Sequence, residues 1–256
     1  MDAIVAIVGY ELPEDLEGIL SGPRRTCFIL SKDRSRASGG EAQKWSKVGE
    51  HLNDVHQSLS AMQYHLGNVL RMEGQLDLIV RKYTERIPLV RNGNWNPTVT
   101  NRLTFEYHAF AFAAVRCLNH LSFTVGRIFN KTSPTLLSVA KVLDAKSNTG
   151  DRGAAVLVQV FRTHEPLLTQ MFSDGVRRSF RDHIAHESFL PAGSLKITRG
   201  NASLFGVLAS GSPSPDARTE YRLSDVMKKQ RAKVEAFLRE VLGALEKHCL
   251  PRIPYP

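Results

Sequence analysis

Apolar residues recur along this chain in alternating steps of three and four, the period of helices that bury one face. The first run starts near Glu41 and places Trp45, Val48, Leu52, Val55, Leu59, Met62, Leu66 and Val69 on one stripe, continuing to Tyr83. One long amphipathic helix is predicted there. The turn-forming stretch Asn92-Gly93-Asn94-Trp95-Asn96-Pro97 separates it from a second run of Leu103, Tyr107, Phe110, Ala114, Cys117, Leu121, Val125 and Ile128. Phe105, Phe112 and Val115 are apolar off that stripe, which predicts a central helix buried on most sides. Helices are also predicted over residues 133–145 and 154–172, with a polar loop through Gly150 between them. Gly175 precedes another helix whose apolar stripe is Val176, Phe180 and Ile184. Ser224 is placed to cap a final helix with Met227, Val234, Phe237, Val241 and Leu245 inward.

Two segments break the helical pattern. Residues 3–8 and 26–30 are short apolar runs suited to strands, with Pro13-Glu14-Asp15-Leu16 opening a short helix between them. Residues 31–40, with Lys32, Arg34, Arg36 and a Gly-Gly pair, read as a linker. Residues 195–199 and 202–208 flank Gly200-Asn201, a hairpin signal, and 210–218 is a loop of Ser, Pro and Gly. The expectation is a mainly α protein: an antiparallel helical bundle over residues 41–250 with a small β-hairpin, preceded by an α/β appendage over residues 1–38.

A chain of 256 residues with 42% hydrophobic content is long enough to bury a substantial core. Its net charge of +9, with arginine outnumbering lysine, suits a surface that meets a polyanion. Cys27, Cys117 and Cys249 are odd in number and far apart, so neither a disulfide framework nor a zinc knuckle is indicated. Met1-Asp2-Ala3 offers no basic leader region, and no apolar run reaches the roughly 18 residues that span a bilayer. These features predict a cytoplasmic protein with no membrane contact.

The densest chemistry lies in Arg181-Asp182-His183-Ile184-Ala185-His186-Glu187. On a helix, Asp182 and His186 share a face and His183 stands beside His186. An imidazole that titrates near neutrality can exchange protons with a ribose hydroxyl, a carboxylate can hold its tautomer, and an arginine can grip a phosphate with two nitrogens. Arg178 stands in the same relation to His183, giving an overlapping frame. The filling of the later frame, a polar residue after the arginine and Ile184-Ala185 before the histidine, distinguishes it.

Arg-Asp-His-Ile-Ala-His resembles the Arg-polar-x-x-x-His motif of the HEPN superfamily, helical-bundle proteins among toxins, phage-defence nucleases and RNA-processing factors. The resemblance implies a HEPN-like bundle and metal-independent RNA cleavage in a dimer cleft, with no cofactor and no metal. It would make Arg181 the phosphate-binding group, Asp182 the orienter and His186 the proton-transfer group, with His183, Arg178 and Glu106 as accessory candidates. The implied partners are RNA, a second copy of the chain and an antitoxin or other regulatory protein. Family toxins silenced by a nucleotidyltransferase carry a tyrosine two residues after the histidine; this chain has Ser188 there, so that control is not implied. A different class of function fits the same residues, a non-catalytic HEPN module that binds RNA or a protein.

Other groupings are weaker. His51, His56 and His65 lie on the first long helix without a four-residue pair or a carboxylate to complete a metal set, and read as surface or interhelical histidines. Glu106, His108, Arg116 and His120 lie on the second and are able to line a shared cleft. Phosphate-binding glycine loops, nucleophile elbows and dinucleotide fingerprints are absent from the sequence.

Overall fold

The computed structural model describes residues 14–32, 40–84, 92–95, 98–131, 135–172, 179, 181, 192, 194–198, 201–205 and 221–251. In chain order the elements are α1 (Glu14–Lys32), α2 (Glu41–Thr84), β1 (Asn92–Trp95), α3 (Thr98–Ile128), α4 (Leu136–Asn148), α5 (Arg152–Thr163), α6 (Glu165–Phe172), β2 (Ser194–Thr198), β3 (Asn201–Phe205) and α7 (Leu223–His248). The protein is mainly helical, as its apolar period predicts.

The 44-residue α2 extends about 66 Å, since each helical residue adds about 1.5 Å. It packs along α3 as an antiparallel pair, which the cross-contacts establish directly. Lys44 meets Asn130, Val55 meets Cys117 and Asn68 meets Glu106, so one number rises as the other falls. The stripe residues Val48, Leu52, Val55, Leu59, Met62 and Val69 are all buried on this seam side. Among the described residues, Tyr107, Phe110 and Phe237 are the largest fully buried side chains, and the Tyr107 hydroxyl accepts a hydrogen bond from Gln230 Nε2 at 3.1 Å. That bond gives the fully buried phenol a polar partner.

The helix α7 is held at its start by groups from α2. Arg222 is its N-cap residue and makes no side-chain cap, and the expected cap Ser224 lies inside the helix. Ser224 instead donates its backbone N–H (3.2 Å) and its Oγ–H (2.5 Å) to the Glu73 carboxylate. Arg222 holds Asp77 with two nitrogens, one contact being Nη1 to Oδ1 at 3.0 Å. A carboxylate at a helix N-terminus meets both unpaired N–H groups and the positive end of the dipole.

The strand expected at residues 26–30 is helix, the C-terminal part of α1. Leu16, Leu20, Cys27 and Leu30 are buried in the same core as α2 and α7, and Pro23 lies within the helix. The helical period wins because those four positions need one face, which a strand with alternating faces cannot supply. Residues 3–8 lie outside the described residues, as does most of the linker.

The single helix expected over 154–172 is two. Asp151 caps α5 by accepting from Ala154 N–H at 2.9 Å, and the chain breaks at His164 before α6 opens with Glu165-Pro166. Proline lacks an N–H and fits only the first turn of a helix, so Pro166 starts a helix in place of continuing one. The α4 helix starts at Leu136 behind a capping box of Thr135 and Ser138.

The strands form one antiparallel sheet in the order β1-β2-β3, with Asn92 opposite Thr198 and Ser194 opposite Phe205. Tyr221 bridges Leu204 through two backbone bonds of 2.9 and 2.8 Å, tying β3 to the start of α7.

Candidate functional site

Of the seven motif residues, Arg181 is described; Asp182, His183 and His186 lie outside the described residues, as does Arg178. Arg181 occupies a helical position and is exposed. It lines a cavity of about 770 Å³ between α4, α5 and α6, whose wall includes Leu137, Leu143, Phe161 and Phe172. Asp144, Arg162 and Glu165 supply polar groups to the same cavity. Arg162 Nη2 stands 3.4 Å from Asp144 Oδ1, an exposed ion pair that solvent screens.

On the far side of the motif the chain is fixed at Ala192. Its N–H donates to Thr104 Oγ1 of α3 at 3.3 Å, and its carbonyl accepts from the Tyr221 hydroxyl at 2.7 Å. Burial pushes the Tyr221 phenol up to about 12, so it remains a donor across the physiological range. In chain order, the rest of the motif thus follows Arg181 at the α4–α6 cavity and precedes Ala192, which is bonded to α3.

Glu106 is not among the residues lining that cavity. It sits in the α2–α3 seam, where its carboxylate accepts from Asn68 Nδ2 (3.2 Å) and pairs with His65 Nδ1 at 2.7 Å. Arg71 extends the chain by donating to Asn68 Oδ1 at 3.3 Å. His56 pairs with Glu17 of α1 at 3.0 Å, so His56 and His65 both work between helices.

The histidine His51 behaves differently, and here the sequence reading needs correction. His51 and Asp54, three apart on α2, are joined by His120 from α3, so a carboxylate does complete a set with two imidazoles. His120 Nδ1 lies 3.3 Å from Asp54 Oδ2, and Arg116 Nε donates to His120 Nε2 at 3.3 Å. The His51 ring stacks on Phe123 with centroids 5.1 Å apart. Desolvation lowers the affinity of both imidazoles for a proton; for His51 the neighbouring His120 adds to the effect, and for His120 the Asp54 carboxylate opposes it. Both rings are thus held toward the neutral form. Linear spacing could not reveal this set, because 66 residues separate Asp54 from His120. The antiparallel register supplies the missing signal, since 54 and 120 sum to nearly the same value as 55 and 117.

The cysteines offer no nucleophile. Burial raises Cys27 to about 12 and Cys249 to about 11, and pushes Cys117 up as well, so thiolate is scarce at neutral pH. No described helix is long and apolar enough to cross a membrane. No protein-family model, curated protein or solved structure matches the chain.

Proposed function

We propose that this protein is a metal-independent endoribonuclease of HEPN type, acting as a homodimer. The reading rests on the motif Arg181-Asp182-x-x-x-His186, and is supported by the exposed helical position of Arg181 in a mainly helical, basic chain. His186 removes the proton of a ribose 2′-hydroxyl, O2′ bonds to the adjacent phosphorus, and the bond to O5′ breaks. Arg181 binds the non-bridging oxygens as charge builds on them, and Asp182 holds the His186 tautomer. The leaving O5′ takes a proton from the second protomer's motif. The products are a 2′,3′-cyclic phosphate and a 5′-hydroxyl. A toxin of a toxin–antitoxin pair or a phage-defence nuclease in the cytoplasm is the biological setting this chemistry fits.

The test is incubation of purified protein with mixed RNAs in excess EDTA. Cleavage should persist, leave cyclic-phosphate ends and disappear in His186→Ala and Arg181→Ala, while Arg178→Ala retains activity. Loss of cleavage on chelation with rescue by magnesium overturns the mechanism. Dead Arg178→Ala and His183→Ala variants move the site to the overlapping frame. Wild-type protein that binds RNA with a steep salt dependence but never cleaves it is the non-catalytic module.

A further inference from the structure

The side chains of His51, Asp54 and His120 converge where α2 crosses α3, and no step of RNA cleavage uses them. One donor atom from each lies within 4.8 Å of the other two. A tetrahedral zinc ion with ligands at about 2.0–2.2 Å sets its donor atoms about 3.3–3.5 Å apart. The His120 Nδ1 to Asp54 Oδ2 distance of 3.3 Å already equals that edge. No separation exceeds 4.8 Å, so the widest needs to shorten by at most about 1.5 Å, which rotation of a half-buried side chain supplies.

Two further observations point to a missing ligand. His51 Nδ1 and His120 Nδ1 are both buried and have no hydrogen-bond partner among the described residues. Buried ring nitrogens are normally satisfied, and an ion placed here would meet the Asp54 carboxylate, His51 and, once its ring proton has moved to Nε2, the Nδ1 lone pair of His120. Burial also keeps the two rings toward their neutral, metal-binding form.

We propose that His51, Asp54 and His120 form a divalent transition-metal site with two nitrogens and one carboxylate oxygen, leaving a fourth position to water. The donor set favours zinc or its close neighbours over magnesium or calcium, which prefer all-oxygen shells. Three protein ligands with an open position is the arrangement of reactive zinc sites, where structural sites are closed by four. The site also joins the first third of α2 to the last third of α3.

The charges nearby set how tightly it binds. Asp54 and Glu50 favour a cation at this place, and Arg116 and Arg127 oppose one. Arg116 has a second effect, because its Nε donates to His120 Nε2. That bond puts the ring proton on Nδ1, facing Asp54. Metal binding at Nδ1 shifts the proton to Nε2, and the Arg116 donor must then move away. The exposed Arg116 is therefore a brake on loading.

The experiment uses the full chain without a histidine tag, stripped with EDTA, dialysed and titrated with Zn²⁺ by calorimetry and with Co²⁺ by visible absorption. One ion per chain should bind, with Co²⁺ bands of a low-coordinate nitrogen and oxygen site. His51→Ala and Asp54→Asn should each weaken Zn²⁺ binding by about tenfold or more, with unchanged circular dichroism, while His65→Ala leaves it intact. Arg116→Gln removes the competing donor and offers the Nε2 proton an acceptor, and should tighten binding severalfold; a merely electrostatic surface site would not respond to both His51 and Arg116. Absence of Zn²⁺ binding by the wild-type protein, or binding indifferent to both His51→Ala and Asp54→Asn, overturns the proposal. His186→Ala should bind Zn²⁺ as the wild type does, so the outcome is independent of the ribonuclease reading.

Discussion

Glu73 is the most exposing place to test how the fold is held, because its carboxylate caps a helix that begins 150 positions later. It is buried in α2 and accepts both the N–H and the hydroxyl of Ser224, itself only 3% exposed. Glu73→Ala leaves two donors without partners where water cannot reach them easily. Each unsatisfied group costs about 1–3 kcal/mol, and Arg222, whose Nε lies 3.7 Å from Glu73 Oε2, loses one of its three acidic neighbours, Asp77 and Asp225 remaining. A total loss of about 3–5 kcal/mol follows, the range seen when one partner of a buried polar pair is removed. For a chain of this length that corresponds to a fall in Tm of about 6–20 °C.

Urea unfolding followed by circular dichroism measures this loss directly. Ser224→Ala alone should cost less, and the double variant should cost less than the sum, since removing both partners leaves fewer stranded groups. A coupling of about 1–3 kcal/mol is expected. A loss under about 1 kcal/mol for Glu73→Ala, or strict additivity with Ser224→Ala, would refute the trans-cap. Under the ribonuclease reading, the same variant should also reduce RNA cleavage, because Tyr221, next to Arg222, holds Ala192, which follows the motif in the chain.

Two further outcomes are expected. His51 and His120 have lowered pKa values in the fold, so the unfolded chain binds more protons near and below the ordinary histidine value of 6.5, and their contribution to stability is present above that pH and lost as pH falls through the folded values; the urea midpoint should drop between pH 7.5 and 5.5, and less so in the double variant His51→Gln/His120→Gln, an equal drop in both being the contrary result. Gly153→Ala would set its Cβ 2.8 Å from Cys249 Sγ and 3.2 Å from the His248 carbonyl, costing about 1–3 kcal/mol, whereas Gly74→Ala and Gly243→Ala meet nothing within 4 Å and should each gain about 0.5–1 kcal/mol in thermal unfolding.

The long helices were readable because burial and period agree along most of their stripes: Val48, Leu52, Val55 and Leu59 of α2 are all within 1% of full burial, although Phe105 and Phe112, off the α3 stripe and expected inside, are 50% and 49% exposed. Where the two signals conflict, the sequence misleads. Residues 27–30 are apolar without a break, yet Phe28 is 64% exposed and the buried positions are Cys27 and Leu30, three apart as a helix requires. The helix also runs through Gly22-Pro23, with Pro23 inside α1. At Ser224 the residue type suggests a cap, and the real cap comes from Glu73, which no local rule can see.

The seam chemistry obeys a rule that apolar periodicity overlooks. His51, Asp54, His65 and Asn68 each stand one position before a buried apolar residue, namely Leu52, Val55, Leu66 and Val69. They therefore form one edge of the α2 stripe, at the same steps of three and four. On α3, Glu106 and His120 are fourteen apart, two heptads, and so occupy equivalent places along the facing edge. Folding the two helices back on each other at the turn between them must bring Glu106 to His65 and Asn68, and His120 to His51 and Asp54. Each meeting joins imidazole to carboxylate, but only the second gathers two imidazoles around one carboxylate. That difference is why the first ends as a satisfied hydrogen-bonded pair and the second leaves two ring nitrogens able to take an ion.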